Sequence, residues 1–183
     1  MNTVEPIRGK KLINEFSNVL KSYSERDYVI FMCGIYLGRR ISDILSLKVK
    51  DVKDKDFLYI RESKKNKDST ILINRELKKI LKEYCKDKKD DEFLFPSVYG
   101  DGSVPITRQR YWQILKKAAA EIGYTEKIGC HSLRKTLGRT LYESGVDCTV
   151  IMHILGHDDV NYTKRYIGVT SDEINSILAS VRY

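Results

Sequence analysis

The sequence has no apolar run near the length that crosses a bilayer, and its N-terminus, MNTVEPIRGKK, has no apolar stretch behind its charges. That speaks against a membrane span and against a secretory leader. It also lacks any Cys-x-x-Cys pair. Cys33, Cys85, Cys130 and Cys148 are scattered, so neither zinc-ligand spacing nor a disulfide framework is in view, and a reducing, cytoplasmic setting is expected. No internal repeat, low-complexity tract or Pro/Gly/Ser linker breaks up the 183 residues, a length that one domain with a sizeable core fills. A cluster of carboxylates of the kind that two-metal nucleases need is missing too.

Positive charge is what the chain has in surplus. Lys and Arg number 33 against 25 Asp and Glu, a net +8. Such a surplus points to a polyanionic partner, most often nucleic acid. The lysines crowd into RESKKNKD and RELKKILKEYCKDKK rather than spreading evenly.

Hydrophobic spacing predicts a mainly α protein with a small antiparallel β-sheet. KKLINEFSNVLKSY puts Leu12, Ile13, Phe16, Val19, Leu20 and Tyr23 on one helical face, and DYVIFMCGIYLG is apolar nearly all round, as a central buried helix is. FLYIRES and STILIN read as strands of a hairpin joined by KKNKD. Helical spacing returns in RELKKILKEYC and, behind a Thr107 cap, in RQRYWQILKKAAAEIG. SLRKTLGRTLYESG and DCTVIMHILG form two further helices closed by Gly145 and Gly156. At the C-terminus Thr170 and Glu173 have capping-box spacing ahead of Ile174, Ile177, Leu178 and Val181.

Three short stretches carry unusual chemistry. In GRRISDILSL, Arg40 opens a helix whose first backbone N–H groups are free to meet a phosphate. In HSLRKT, His131 and Arg134 are spaced i, i+3 and share a helix face; an arginine fork holds two phosphoryl oxygens and an imidazole moves a proton. In LGHDDVNYTKRY, His157 follows a helix-stopping glycine and two tyrosines, Tyr162 and Tyr166, come after it. If that segment is helical the tyrosines lie i, i+4 on one face, and geometry alone does not choose between them.

In combination these stretches resemble the catalytic domain of the tyrosine recombinases, the phage integrase family. Gly38, Arg40, Ser42 and Asp43 match its G-x-R-x-S-[ED] pattern; His131, Leu133, Arg134 and Thr136 match H-x-L-R-x-T; LGHDDVNYTKRY matches the closing motif. Lys135 stands where the family usually has histidine. The resemblance implies a site-specific DNA recombinase or integrase that works through a 3′-phosphotyrosyl intermediate. Arg40, Arg134 and His157 would hold the phosphate, His131 would act as acid/base partner, and Tyr166 would be the nucleophile, chosen over Tyr162 by the family's spacing. A lysine on the hairpin would protonate the leaving 5′-oxygen: Lys64 is the first choice, with Lys65 and Lys67 as rivals. Asp43 would fix an arginine. The resemblance calls for no metal and no cofactor. It implies double-stranded DNA as partner, a nucleoid-associated protein of bacterial or phage origin, and a homotetramer linked by the helix of residues 170–183, which docks either on a neighbour or on its own domain. The expected organisation is one catalytic domain, 1–183, without the N-terminal helical domain of typical members, as either an excised fragment or a minimal recombinase of the fimbrial phase-switch type. The alternatives are a non-catalytic DNA-binding regulatory module and a type IB topoisomerase-like strand relaxer.

Overall fold

A computed structural model describes residues 4–62, 67–99, 101–168 and 179. In chain order it has α1 (Lys10–Tyr23), α2 (Glu25–Leu37), α3 (Ile41–Leu45), a 3-10 turn at Val49–Asp51, β1 (Phe57–Glu62), β2 (Lys67–Leu72), α4 (Arg75–Tyr84), α5 (Arg108–Glu121), α6 (Cys130–Glu143), α7 (Cys148–Leu155) and α8 (Val160–Ile167). Among the described residues the sheet is the two-stranded antiparallel pair β1–β2. The mainly helical fold with a small sheet is therefore observed.

The middle of the molecule is α2, whose side chains are apolar on almost every face. Val29, Ile30, Phe31 and Cys33 are fully buried, and α1, α4 and α6 pack around it. Full burial of one such side chain is worth roughly 1.5–3 kcal/mol. The crossing of α2 and α6 is close because residue 34 is glycine: a Cβ there would lie 2.5 Å from Leu133 Cδ1. From α1, Phe16 stacks on Phe31 with ring centroids 6.0 Å apart. Leu12, Ile13, Val19 and Tyr23 line the same face, half-buried. Asn74 and Thr107 accept from the Leu77 and Arg110 amides and so start α4 and α5, the capping that short polar side chains provide.

The hairpin differs from expectation at both ends of its second strand, which stops at Leu72 rather than Asn74. Its second strand begins at Lys67, not Ser69: Lys67 pairs with Glu62 and Asp68 with Arg61. Two polar residues assigned to the turn thus extend the ladder, because backbone pairing continues wherever the opposite strand still offers partners. The chain also makes a helix, α8, out of the polar segment after Gly156. The hairpin turn 63–66 and the C-terminal helix expected over 170–183 lie outside the described residues, apart from 179.

Among the described residues, buried apolar side chains form two clusters. The larger involves α1 to α5 and the first turns of α6. The smaller consists of Ile151, Leu155 and Ile167, joined by partly buried neighbours that include Leu137 and Tyr166. The candidate chemistry stands on the smaller one.

Candidate active site

Gly38 ends α2 in the left-handed region at φ 58°, a conformation that favours glycine. The chain then turns through two arginines with different fates. Arg39 is buried and donates from Nη2 to the Ile154 carbonyl at 3.0 Å, which ties the turn to α7. Arg40 caps α3 with extended backbone, and its guanidinium stands 3.9 Å from the Asp43 carboxylate one turn on. Asp43 is itself buried, so this arginine is held from behind by a fixed charge.

Arg134 comes from α6 and is 4% exposed. One nitrogen, Nη2, donates to the Leu155 carbonyl at the end of α7. The other, Nη1, is buried and has no hydrogen-bond partner among the described residues. A buried guanidinium nitrogen without an acceptor is costly, and it is the kind of donor that an incoming phosphoryl oxygen satisfies. His131, one turn earlier, has its outer edge open to solvent. The protein packed around its flank lowers its pKa, and the cations Arg108, Arg134, Arg40 and Lys135 add to the effect. The imidazole is therefore biased toward its neutral, proton-accepting form.

Gly156 ends α7 at φ 62°, and the His157 amide donates back to the Met152 carbonyl. The His157 ring is then fixed by three groups of α8. Its Nδ1 meets Thr163 Oγ1 at 3.0 Å. Tyr162 and Tyr166 both meet its ring edge-to-face, with centroids at 4.8 and 4.6 Å. Thr163 is fully buried, and its hydroxyl donates to the Asp159 carbonyl. With its one proton spent there, the hydroxyl accepts from His157 Nδ1–H, which leaves Nε2 as the ring nitrogen not held by Thr163.

The two tyrosines are placed differently. Tyr162 is 49% exposed. The Tyr166 hydroxyl is buried and makes no well-aligned hydrogen bond among the described residues. Burial pushes its phenol up to about 12, while the nearby Arg134 and Arg40 guanidinium groups pull it down. The fold thus brings Arg40, His131, Arg134, His157 and Tyr166 into one electrostatic cluster, with the Tyr166 hydroxyl enclosed beside the buried Arg134. Lys64, the expected acid, and its rival Lys65 lie outside the described residues. So does the Lys67 side chain, although its backbone belongs to β2. Thr163 is a part of the site that sequence reading missed. Its only sequence signal is a position three residues before Tyr166, and its role comes from the packing of α8 against His157.

Comparison with known proteins shows the family of the chain. The model of the phage integrase family matches residues 8–173. A probable integrase/recombinase, YoeC of Bacillus subtilis, is 44% identical over 172 residues, which cover 94% of this chain and 93% of that protein. Tyrosine recombinase XerA of Pyrococcus furiosus is 30% identical over 167 residues, covering 90% of this chain but 56% of XerA. The chain thus spans nearly all of the Bacillus relative and a little over half of the archaeal one. Among solved structures, a XerA recombinase superposes with a TM-score of 0.79 at 22% identity, over 100% of this chain and 66% of that one. XerH site-specific recombinase, in a post-cleavage complex with a palindromic substrate, gives 0.77 at 17% identity, over 98% and 54%. A matched model across most of the length, a full-length relative at high identity and a shared fold lead to one conclusion: the chain belongs to the phage integrase family of tyrosine recombinases.

Proposed function

We propose that this chain is a site-specific DNA recombinase that cuts and rejoins duplex strands through a tyrosyl–DNA intermediate. The observation that carries the reading is the buried Tyr166 hydroxyl beside Arg134, whose Nη1 has no hydrogen-bond partner among the described residues. In this scheme the scissile phosphate lies against Arg40 and Arg134, and His157 Nε2 adds a hydrogen bond. Tyr166 Oη attacks phosphorus, its proton passes toward His131, and the P–O5′ bond breaks. The 3′-phosphate is left on the tyrosine, and the departing 5′-oxygen takes a proton from Lys64. Rejoining runs the same steps backward, so the energy of the broken bond stays in the phosphotyrosine and no hydrolysis is needed. Each preorganised donor on the transition-state charge is worth about 3–4 kcal/mol. The guanidinium groups supply the charge that a metal or cofactor would otherwise bring, so the scheme uses neither.

Residues 1–183 act in this scheme as one catalytic domain on double-stranded DNA, in the cytoplasm and on the nucleoid. Synapsis as a homotetramer through residues 170–183 completes it. Among the described residues no helix is long and apolar enough to cross a membrane, and the +8 charge suits a nucleic-acid partner.

The test is a labelled, nicked duplex drawn from the DNA that flanks the protein's own gene, analysed on denaturing gels. The unmodified chain and Tyr162→Phe form a covalent adduct, whereas Tyr166→Phe binds the duplex and forms none. An adduct from Tyr166→Phe overturns the choice of nucleophile. No adduct from the unmodified chain turns the reading toward a DNA-binding regulatory module.

A further inference from the structure

Lys135 takes no part in the scheme above, yet it lies among its parts. It follows Arg134 on α6 and is only 7% exposed. A lysine this deep normally ends on a carboxylate. Burial lowers its pKa; Glu5, from the segment before α1, pulls it back up, and Arg8 of the same segment opposes that pull. The ammonium is instead placed over the Tyr166 ring, 5.2 Å from its centroid.

We propose that Lys135 is a positioning residue for strand cleavage, acting through Tyr166 rather than on DNA. This rests on the reading that Tyr166 is the nucleophile. A cation over an aromatic face is attracted to the ring's negative quadrupole. That attraction strengthens as the phenol gives up its proton and its ring gains electron density. Lys135 therefore does two things at once. It holds the ring against α6, and it favours the charged form in a site where burial opposes that form.

The experiment uses the full chain, the nicked duplex and single-turnover rates at saturating DNA. Lys135→Met keeps the length of the stem and removes the charge; Lys135→Arg keeps a cation that stacks on rings. Lys135→Met is expected to slow adduct formation by roughly threefold to thirtyfold, the span that a cation over an aromatic face is worth. DNA affinity by gel shift and the melting temperature stay unchanged, and Lys135→Arg recovers most of the rate. If Lys135→Met does not fold, Lys135→Gln reads the same charge effect. A Lys135→Met rate within about twofold of the unmodified chain overturns the inference, being below what such a contact contributes. An Arg variant as slow as the Met variant overturns it as well, because the role is then packing. If the unmodified chain makes no adduct, the nucleophile reading falls and takes the inference with it.

Discussion

Arg134 divides its guanidinium between two tasks. Nη2 pins the end of α7 through the Leu155 carbonyl, while Nη1 has no hydrogen-bond partner among the described residues. Lysine has one nitrogen on a flexible stem and cannot do both. Arg134→Lys is therefore expected to cut the rate of adduct formation by about a hundredfold to a thousandfold, the loss seen when one preorganised donor is removed, with single-turnover gels as the measure. Two titrations follow from the same cluster. The Tyr166 phenol, pushed up to about 12 from 10.0, is protonated at neutral pH. The fold holds that proton more tightly than the unfolded chain does, so its contribution to stability is present below about 10 and lost as pH climbs toward about 12. Tyr166→Phe removes the contribution, and the ultraviolet difference titration of the two proteins shows the raised midpoint directly. His131 behaves oppositely in rate. Its pKa lies below 6.5, so a His131 that accepts the nucleophile's proton loses that ability only as pH falls through a midpoint under 6.5. His131→Asn flattens this acid limb of the rate profile. The five residues of the cluster were legible in the sequence because each belongs to a short pattern with fixed spacing. Thr163 and Lys135 were not, because what they do depends on which helix faces them.

At the scale of elements, the position of the nucleophile depends on how closely α8 approaches α6. Residue 138 on α6 is glycine; a Cβ there would stand 2.7 Å from Ile167 Cγ2 and 3.1 Å from Leu155 Cδ1. Gly138→Ala must push α8 outward, at a cost of roughly 1–3 kcal/mol for overpacking. It is expected to lower both the melting temperature and the adduct rate while leaving DNA affinity in place. Thr163→Val keeps the shape and removes the hydroxyl that bonds His157, so it should slow adduct formation without loosening α8. Circular dichroism melts and gel assays separate the two cases. Helices α1, α4, α5, α6 and α7 were legible because their apolar residues recur at helical spacing, and α2 because it is apolar nearly all round. Helix α8 was not, since NYTKRY has no apolar stripe of its own and is helical through Ile167 and Tyr166 on the small cluster. The first pairs of β2 were hidden for a different reason: Lys67 and Asp68 are polar and join the ladder through their backbone. The proposed acid, Lys64, comes from the sequence between β1 and β2. A substrate with sulfur in place of the bridging 5′-oxygen needs no leaving-group proton, so it should restore cleavage by Lys64→Ala. Restoration of Lys67→Ala instead would assign the role to Lys67.

For the whole molecule, charge and core lead to separate expectations. With a net +8, binding to duplex DNA should weaken steeply with salt, with a log–log slope of roughly −0.9 for each phosphate neutralised. Gel shifts across a salt series measure it, and a flat series would contradict an electrostatic interface. The core, for its part, is divided. Among the described residues, the cluster that seats α2 is large, whereas the one under Tyr166 is built on Ile151, Leu155 and Ile167. Regions with few buried apolar contacts open at lower free energy than the global transition. Strand cleavage should therefore fade on warming while the rest of the domain is still folded. The temperature at which adducts disappear then lies below the melting temperature, and strand cleavage has a thermal ceiling of its own, set by the small cluster under Tyr166 rather than by the whole fold.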